Sequence, residues 1–268
     1  MKVKLFGDVT PVDWAALNIR MPFAPMHELA EKYELTEVKK SYIPALENNV
    51  DDLGHIFETD INVLDGRELF KRVKYRANNT VAALDRCTPD TICINLNGGY
   101  HHAGKYPNTG YAYSLINDHI WATDYQLERY NNIRIGIWDN DFHYAGGTIE
   151  YYKDSSQVDV FSEHAPLRGV LYKHQHLRQE GLGCYMFDLN TVDKVLLNLG
   201  TDYSTEDELF GQYAWYDRSW VMAFWKNTIM HVLEHRTPLA ITFGGSYGDK
   251  GISMYKEIIT FCQELPGL

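Results

Sequence analysis

Apolar residues along the chain fall into two kinds of run. Short ones, rich in Ile, Val, Leu and Phe, occupy residues 2–6, 91–96, 133–139, 158–162, 194–200 and 239–243. Their interiors (ICINL, IRIGIW, VLLNL, LAITF) are mostly apolar throughout rather than at alternate positions. That pattern predicts strands covered on both faces, as in a parallel sheet. Longer stretches with helical spacing lie between them, at about 25–47, 66–86, 111–130, 217–235 and 250–264. In the second, Leu69, Val73, Ala77, Thr80 and Leu84 share a face; in the last, Ile252, Tyr255, Ile259 and Cys262 do. Strands alternating with helices predict an α/β fold with a mainly parallel central sheet flanked by helices. No repeat, low-complexity tract or linker breaks the pattern, so residues 1–268 are read as one domain.

Composition narrows the class. With 45% hydrophobic and 23% charged residues, the chain is not a disordered, collagen-like or disulfide-stapled protein. A net charge of −11 argues against non-specific nucleic-acid binding and suits a cationic substrate or product. Cys87, Cys93, Cys184 and Cys262 form no CxxC motif, which excludes a zinc ribbon or thioredoxin-type site. The N-terminal residues lack the apolar core of a signal peptide, and the apolar run at 220–225 is too short to span a bilayer. The expectation is a cytoplasmic protein without membrane association. The sequence leaves its oligomeric state open.

In an open parallel sheet, ligands bind beyond the carboxyl ends of the strands. Candidate chemistry is concentrated there. The first such loop reads Gly98-Gly99-Tyr100-His101-His102-Ala103, and the next Asp139-Asn140-Asp141-Phe142-His143. A third contains Asp202, Glu206 and Asp207, and a fourth reads Gly244-Gly245-Ser246-Tyr247-Gly248. Asp139, Asp141 and His143 point one way if the segment is extended. A carboxylate and the imidazole from this segment, with another carboxylate from a neighbouring loop, would make a three-ligand zinc site with an open fourth position. The same residues also suit a polar turn whose carboxylates cap amides. On a glycine-bearing loop, His101 and His102 can turn toward one centre. The Tyr247 hydroxyl can donate to developing negative charge.

This ordered set resembles the histone deacetylase superfamily of zinc-dependent lysine deacetylases and acetylpolyamine amidohydrolases, on the arginase-like α/β fold. The motifs are Gly98-Gly99-Tyr100-His101-His102-Ala103, Asn117-Asp118, Asp139-x-Asp141-x-His143, Leu199-Gly200-Thr201-Asp202 with Asp207 five residues on, and Gly244-Gly245-Ser246-Tyr247. The resemblance implies one zinc ion per chain held by Asp141, His143 and Asp207. It implies His101 and His102 as the catalytic pair, Asp139 orienting the first, and Tyr247 binding the substrate carbonyl. It further implies a potassium ion near Asp139, Asp141, His143 and Ser162. The reaction would remove an acyl group, acetyl first, from acetyl-lysine, an acetylpolyamine or a small N-acetyl amine.

Several positions depart from the family. Gly146 stands where an Asp or Asn usually supports the second histidine, and Glu208 replaces a proline. The interval between Ser162 and Lys194 is short, so the substrate rim is rebuilt and substrate identity is not inherited. Other readings compete. One is a binding module that keeps the fold without the chemistry. Another is an HxxEH zinc hydrolase at His231–His235. A two-manganese ureohydrolase would need more bridging carboxylates than DNDFH supplies.

Overall fold

The structure, a computed structural model, describes residues 1–8, 29–39, 63–104, 116–163, 188–208, 210–214, 216–245 and 248–266. Its strands are β1 (Lys2–Phe6), β2 (Thr91–Asn95), β3 (Ile135–Asn140), β4 (Val158–Glu163), β5 (Lys194–Leu199) and β6 (Leu239–Phe243). They form one sheet in the order β1-β2-β6-β5-β3-β4, with every pair parallel. The helices are α1 (Val63–Arg86), α2 (Asp118–Arg129), α3 (Gly146–Tyr152), α4 (Arg218–Glu234) and α5 (Asp249–Glu264).

The period-two side-chain alternation of the strands divides the core between two faces. On one, Ile92, Ile94, Leu197, Leu199, Ile241 and Phe243 pack against Trp225 and Ile229 of α4 and Tyr255 and Ile259 of α5. On the other, Cys93, Leu196 and Ala240 meet Val73, Ala77, Val81 and Leu84 of α1 and Trp121 and Ala122 of α2. Both faces are covered, which is why the strands read as continuous apolar runs. Each fully buried large aliphatic side chain contributes about 1.5–3 kcal/mol.

Two predicted helices differ from the structure. Within 25–47, the described residues 34–39 are irregular. There the Thr36 amide donates to Leu5 O of the edge strand (2.7 Å), satisfying backbone groups outside a helix. The helix predicted over 111–130 begins at Asp118, where Asn117 caps it; residues 105–115 lie outside the described set. The seven-residue α3 was not predicted, because its sequence GGTIEYY opens on two glycines and has no side-chain cap. Cys87, Cys93 and Cys262 are free and buried. Among the described residues, no helix is long and apolar enough to cross a membrane.

Candidate metal centre

At one level near the carboxyl ends of the strands, five neighbours each carry a polar residue. Ser162 (β4), Asp139 (β3), Asn198 (β5), Thr242 (β6) and Asn95 (β2) are register partners in that order. Asp139 is fully buried. Its Oδ2 accepts from His101 Nδ1 (2.8 Å) and Asn198 Nδ2 (3.3 Å).

The loop bearing His101 and His102 is pinned from α2. Asp118 Oδ1 accepts from Tyr100 N (2.7 Å), and Oδ2 from Gly99 N (3.0 Å) and Thr80 Oγ1 (2.5 Å). Asn117 Nδ2 reaches the carbonyls of His101 (3.1 Å) and Ala103 (2.9 Å), while its Oδ1 accepts from Ile120 N (3.1 Å). An Asn117→Ala variant strips a helix cap and two buried carbonyl partners at once. It is expected to lose about 2–4 kcal/mol, read as a melting temperature lower by roughly 5–12 °C. A wild-type melting curve would contradict this account of the loop.

Beyond β3 the chain turns so that Asp141 Oδ1 accepts from His143 N (2.9 Å) and lies 3.2 Å from His143 Nδ1. The same Nδ1 stands 2.9 Å from Asp202 Oδ2. Asp202 comes from the 3-10 turn Thr201–Tyr203 directly after β5, and its Oδ1 accepts from Phe142 N (3.2 Å). A Cβ at Gly200 would meet Asp141 Oδ2 at 2.3 Å and Asp202 Oδ1 at 2.7 Å, so only glycine lets the two acids approach.

Asp141, His143 and Asp202 each offer a ligand atom within 4.8 Å of the others, the one such trio among the described residues. The expected third ligand, Asp207, is not a member of this trio. Asp207 Oδ1 accepts from Phe210 N (2.9 Å) and Oδ2 from Thr201 Oγ1 (3.3 Å), so its carboxylate braces the turn that presents Asp202. Asp202 was visible in the same motif. Its place three residues past β5, where ligands gather, was the signal to weigh.

The electrostatics favour a cation here. Burial alone would lower the pKa of His143, but Asp141 and Asp202 raise it to about 10. Burial and the Asp141 charge push Asp202 up to about 7. Burial works against the Asp141 carboxylate too, yet His101 and His143 hold its pKa below the usual range. Two buried acids around one imidazole make a site where a cation can replace the imidazole proton, and a carboxylate–imidazole donor set suits zinc. Asp139 Oδ1 is buried with no hydrogen-bond partner among the described residues, an acceptor that a second cation would satisfy.

The two loop histidines face this trio. His101 Nε2 lies 3.4 Å from Asp141 Oδ1, and the His102 ring is 5.5 Å from that of His143, centroid to centroid. Burial would lower the pKa of His101, but Asp139 and Asp141 raise it to about 9. Burial and the neighbouring His101 push His102 down to about 3. At the Gly146 position no carboxylate supports His102, and the Tyr144 backbone is its hydrogen-bonding partner. Ser246 and Tyr247 lie outside the described residues. Gly245, the described residue before them in sequence, has its N donating to Asp141 Oδ2 (3.2 Å) and its O accepting from Thr201 N (2.8 Å). Glu208 Oε1 accepts from Asp249 N (3.2 Å) at the start of α5. His231 and His235 close α4, where His235 Nδ1 donates to His231 O (2.9 Å). They belong to no metal-ligating trio among the described residues.

The histone deacetylase domain profile matches residues 19–186. That segment carries the double histidine, Asp141 and His143, and ends before Asp202 and Tyr247. No curated protein matches the chain. Among solved structures, it is similar to the crystal structure of an HDAC homolog from Aquifex aeolicus. The TM-score is 0.64 and the identity 18%, over 99% of this chain and 86% of that one. At that identity the likeness is one of fold.

Proposed function

We propose, for a chain that belongs to the histone deacetylase family, that it hydrolyses an acyl amide, N-acetyl first, at the Asp141–His143–Asp202 cluster. The observation that carries this reading is the convergence of His101 and His102 on that cluster. Asp141, His143 and Asp202 would hold one zinc ion, and Asp139 Oδ1 would face a potassium ion. When bound, zinc supplies Lewis acidity, polarising a carbonyl and acidifying water.

The chain's own residues do the rest. His102, held neutral by burial and by the positive charge around it, keeps a lone pair on the nitrogen that the Tyr144 backbone does not engage. There it takes a proton from the attacking water and returns one to the departing amine. His101 donates Nδ1–H to Asp139 and favours negative charge developing nearby. Tyr247, two residues beyond Gly245 in the sequence, would donate to the carbonyl oxygen. The acidic balance suits a cationic amine product such as lysine or a polyamine.

The reading is tested with zinc-loaded protein on acetyl-lysine peptides, acetylpolyamines and small N-acetyl amines, with Asp141→Ala as control. Turnover that Asp141→Ala abolishes is expected. Stoichiometric zinc without turnover on any of them would overturn the hydrolase reading in favour of a binding module. Tyr247→Phe should keep its zinc and lose roughly 10²–10³ in kcat, the usual effect of deleting one oxyanion donor.

A further inference from the structure

One fully buried histidine has no part in the chemistry above. His119, in the first turn of α2, is 0% exposed. Its Nε2 lies 3.0 Å from Thr242 Oγ1. Its Nδ1 has no hydrogen-bond partner among the described residues and lies 3.9 Å from Asp139 Oδ2. Burying an imidazole against a sheet is costly unless its polar atoms are used.

The hydrogen bonds around it run in one direction. Thr242 Oγ1 has a single proton and donates it to Asn198 Oδ1 (3.0 Å). The proton between His119 and Thr242 must therefore come from His119, which fixes the Nε2–H tautomer. With its oxygen occupied, Asn198 turns Nδ2 toward Asp139 Oδ2 (3.3 Å), the oxygen that receives His101 Nδ1–H (2.8 Å). If the His119 proton sat on Nδ1 instead, Nε2 would accept the Thr242 proton. Asn198 Oδ1 would lose its donor, and the amide could present oxygen to the Asp139 carboxylate. Asn198 and Thr242 are the polar members of otherwise apolar strand interiors, VLLNL and LAITF. Filling those sites needs no polar atoms.

We propose that His119, acting through Thr242 and Asn198, is a positioning residue that orients the Asp139–His101 pair. As a statement about catalysis it rests on the deacetylase reading. As a statement about hydrogen-bond direction it does not.

The test therefore has two arms on the full chain. In the metal-free protein, nitrogen-15 NMR is expected to show His119 as the Nε2–H tautomer and a far-downfield proton for His101 Nδ1–H. That proton should move or broaden in Thr242→Val and return in Thr242→Ser. In the zinc-loaded protein, Thr242→Val should lower kcat by about 10-fold or more with KM little changed, as for other partners just outside a metal site. Thr242→Ser should recover most of it. Should Thr242→Val fail to fold, His119→Gln, whose amide can still donate to Thr242, is compared with His119→Leu. The glutamine variant should keep the His101 signal and the leucine variant lose it. An Nδ1–H tautomer at His119, an unshifted His101 proton in Thr242→Val, or equal behaviour of the glutamine and leucine variants overturns the proposal. If no substrate is ever turned over, the deacetylase reading fails and the NMR arm alone decides this one.

Discussion

An Asp202→Asn variant is expected to lose both zinc-dependent stabilisation and turnover, while Asp207→Asn keeps both. In the wild-type chain, zinc at about 100 times its dissociation constant adds roughly 2.7 kcal/mol to stability. For a chain of this size that is a melting temperature higher by roughly 5–10 °C. Asp202 Oδ2 faces the same His143 Nδ1 as Asp141 Oδ1, so its amide should erase that shift. Losing several kcal/mol of Lewis-acid help corresponds to about 10³ in rate or more. Asp207→Asn weakens the bonds to Phe210 N and Thr201 Oγ1, a cost of about 1–2 kcal/mol. Calorimetry with and without zinc separates the two. If Asp207→Asn is the variant that goes metal-free, the third ligand is misassigned.

The second large effect is at Gly99, whose φ is +89°. A side chain there is strained by roughly 1–2 kcal/mol before any contact is counted. Its Cβ would also sit 2.6 Å from Gly244 Cα and 2.7 Å from Asn198 Oδ1, so backbone must move. Overpacking of that kind adds about 1–3 kcal/mol. Gly99→Ala should therefore melt about 5–15 °C lower and turn over poorly, because the displaced segment carries His101 and His102. Gly146→Ala is the control: its Cβ meets only the Tyr144 ring, at 3.2 Å, and it should stay within ~1 kcal/mol of wild type. Wild-type stability and activity in Gly99→Ala would show that the two strand-end loops are not packed as described.

The strands were legible because a sheet covered on both faces must be built from apolar runs, and ICINL, VLLNL and LAITF carry that signature. The helical face of α1 was legible for the same reason: Val73, Ala77, Thr80 and Leu84 are all buried. The gathering of His101, Asp141 and His143 followed from their places after strand carboxyl ends, although β6 and β5 separate β2 from β3 in the sheet. Less was readable where short-range cues compete. The residues at 34–39 have polar character that suits an exposed helix, but the open edge of β1 captures the Thr36 amide. The loop after β5 carries Asp202, Glu206 and Asp207, any of which could serve as an acid ligand by composition.

By itself, then, the sequence determined a parallel α/β sheet, the location of the chemistry at the strands' carboxyl ends, and the residue types gathered there. Those follow from local hydrophobic pattern and from strand-to-loop order. Only the tertiary structure decided which carboxylate joins Asp141 and His143, and that Asn198, Thr242 and His119 stand behind Asp139. Both depend on register between strands distant in the chain. A one-residue slip in register would turn Asn198 and Thr242 to the opposite face of the sheet.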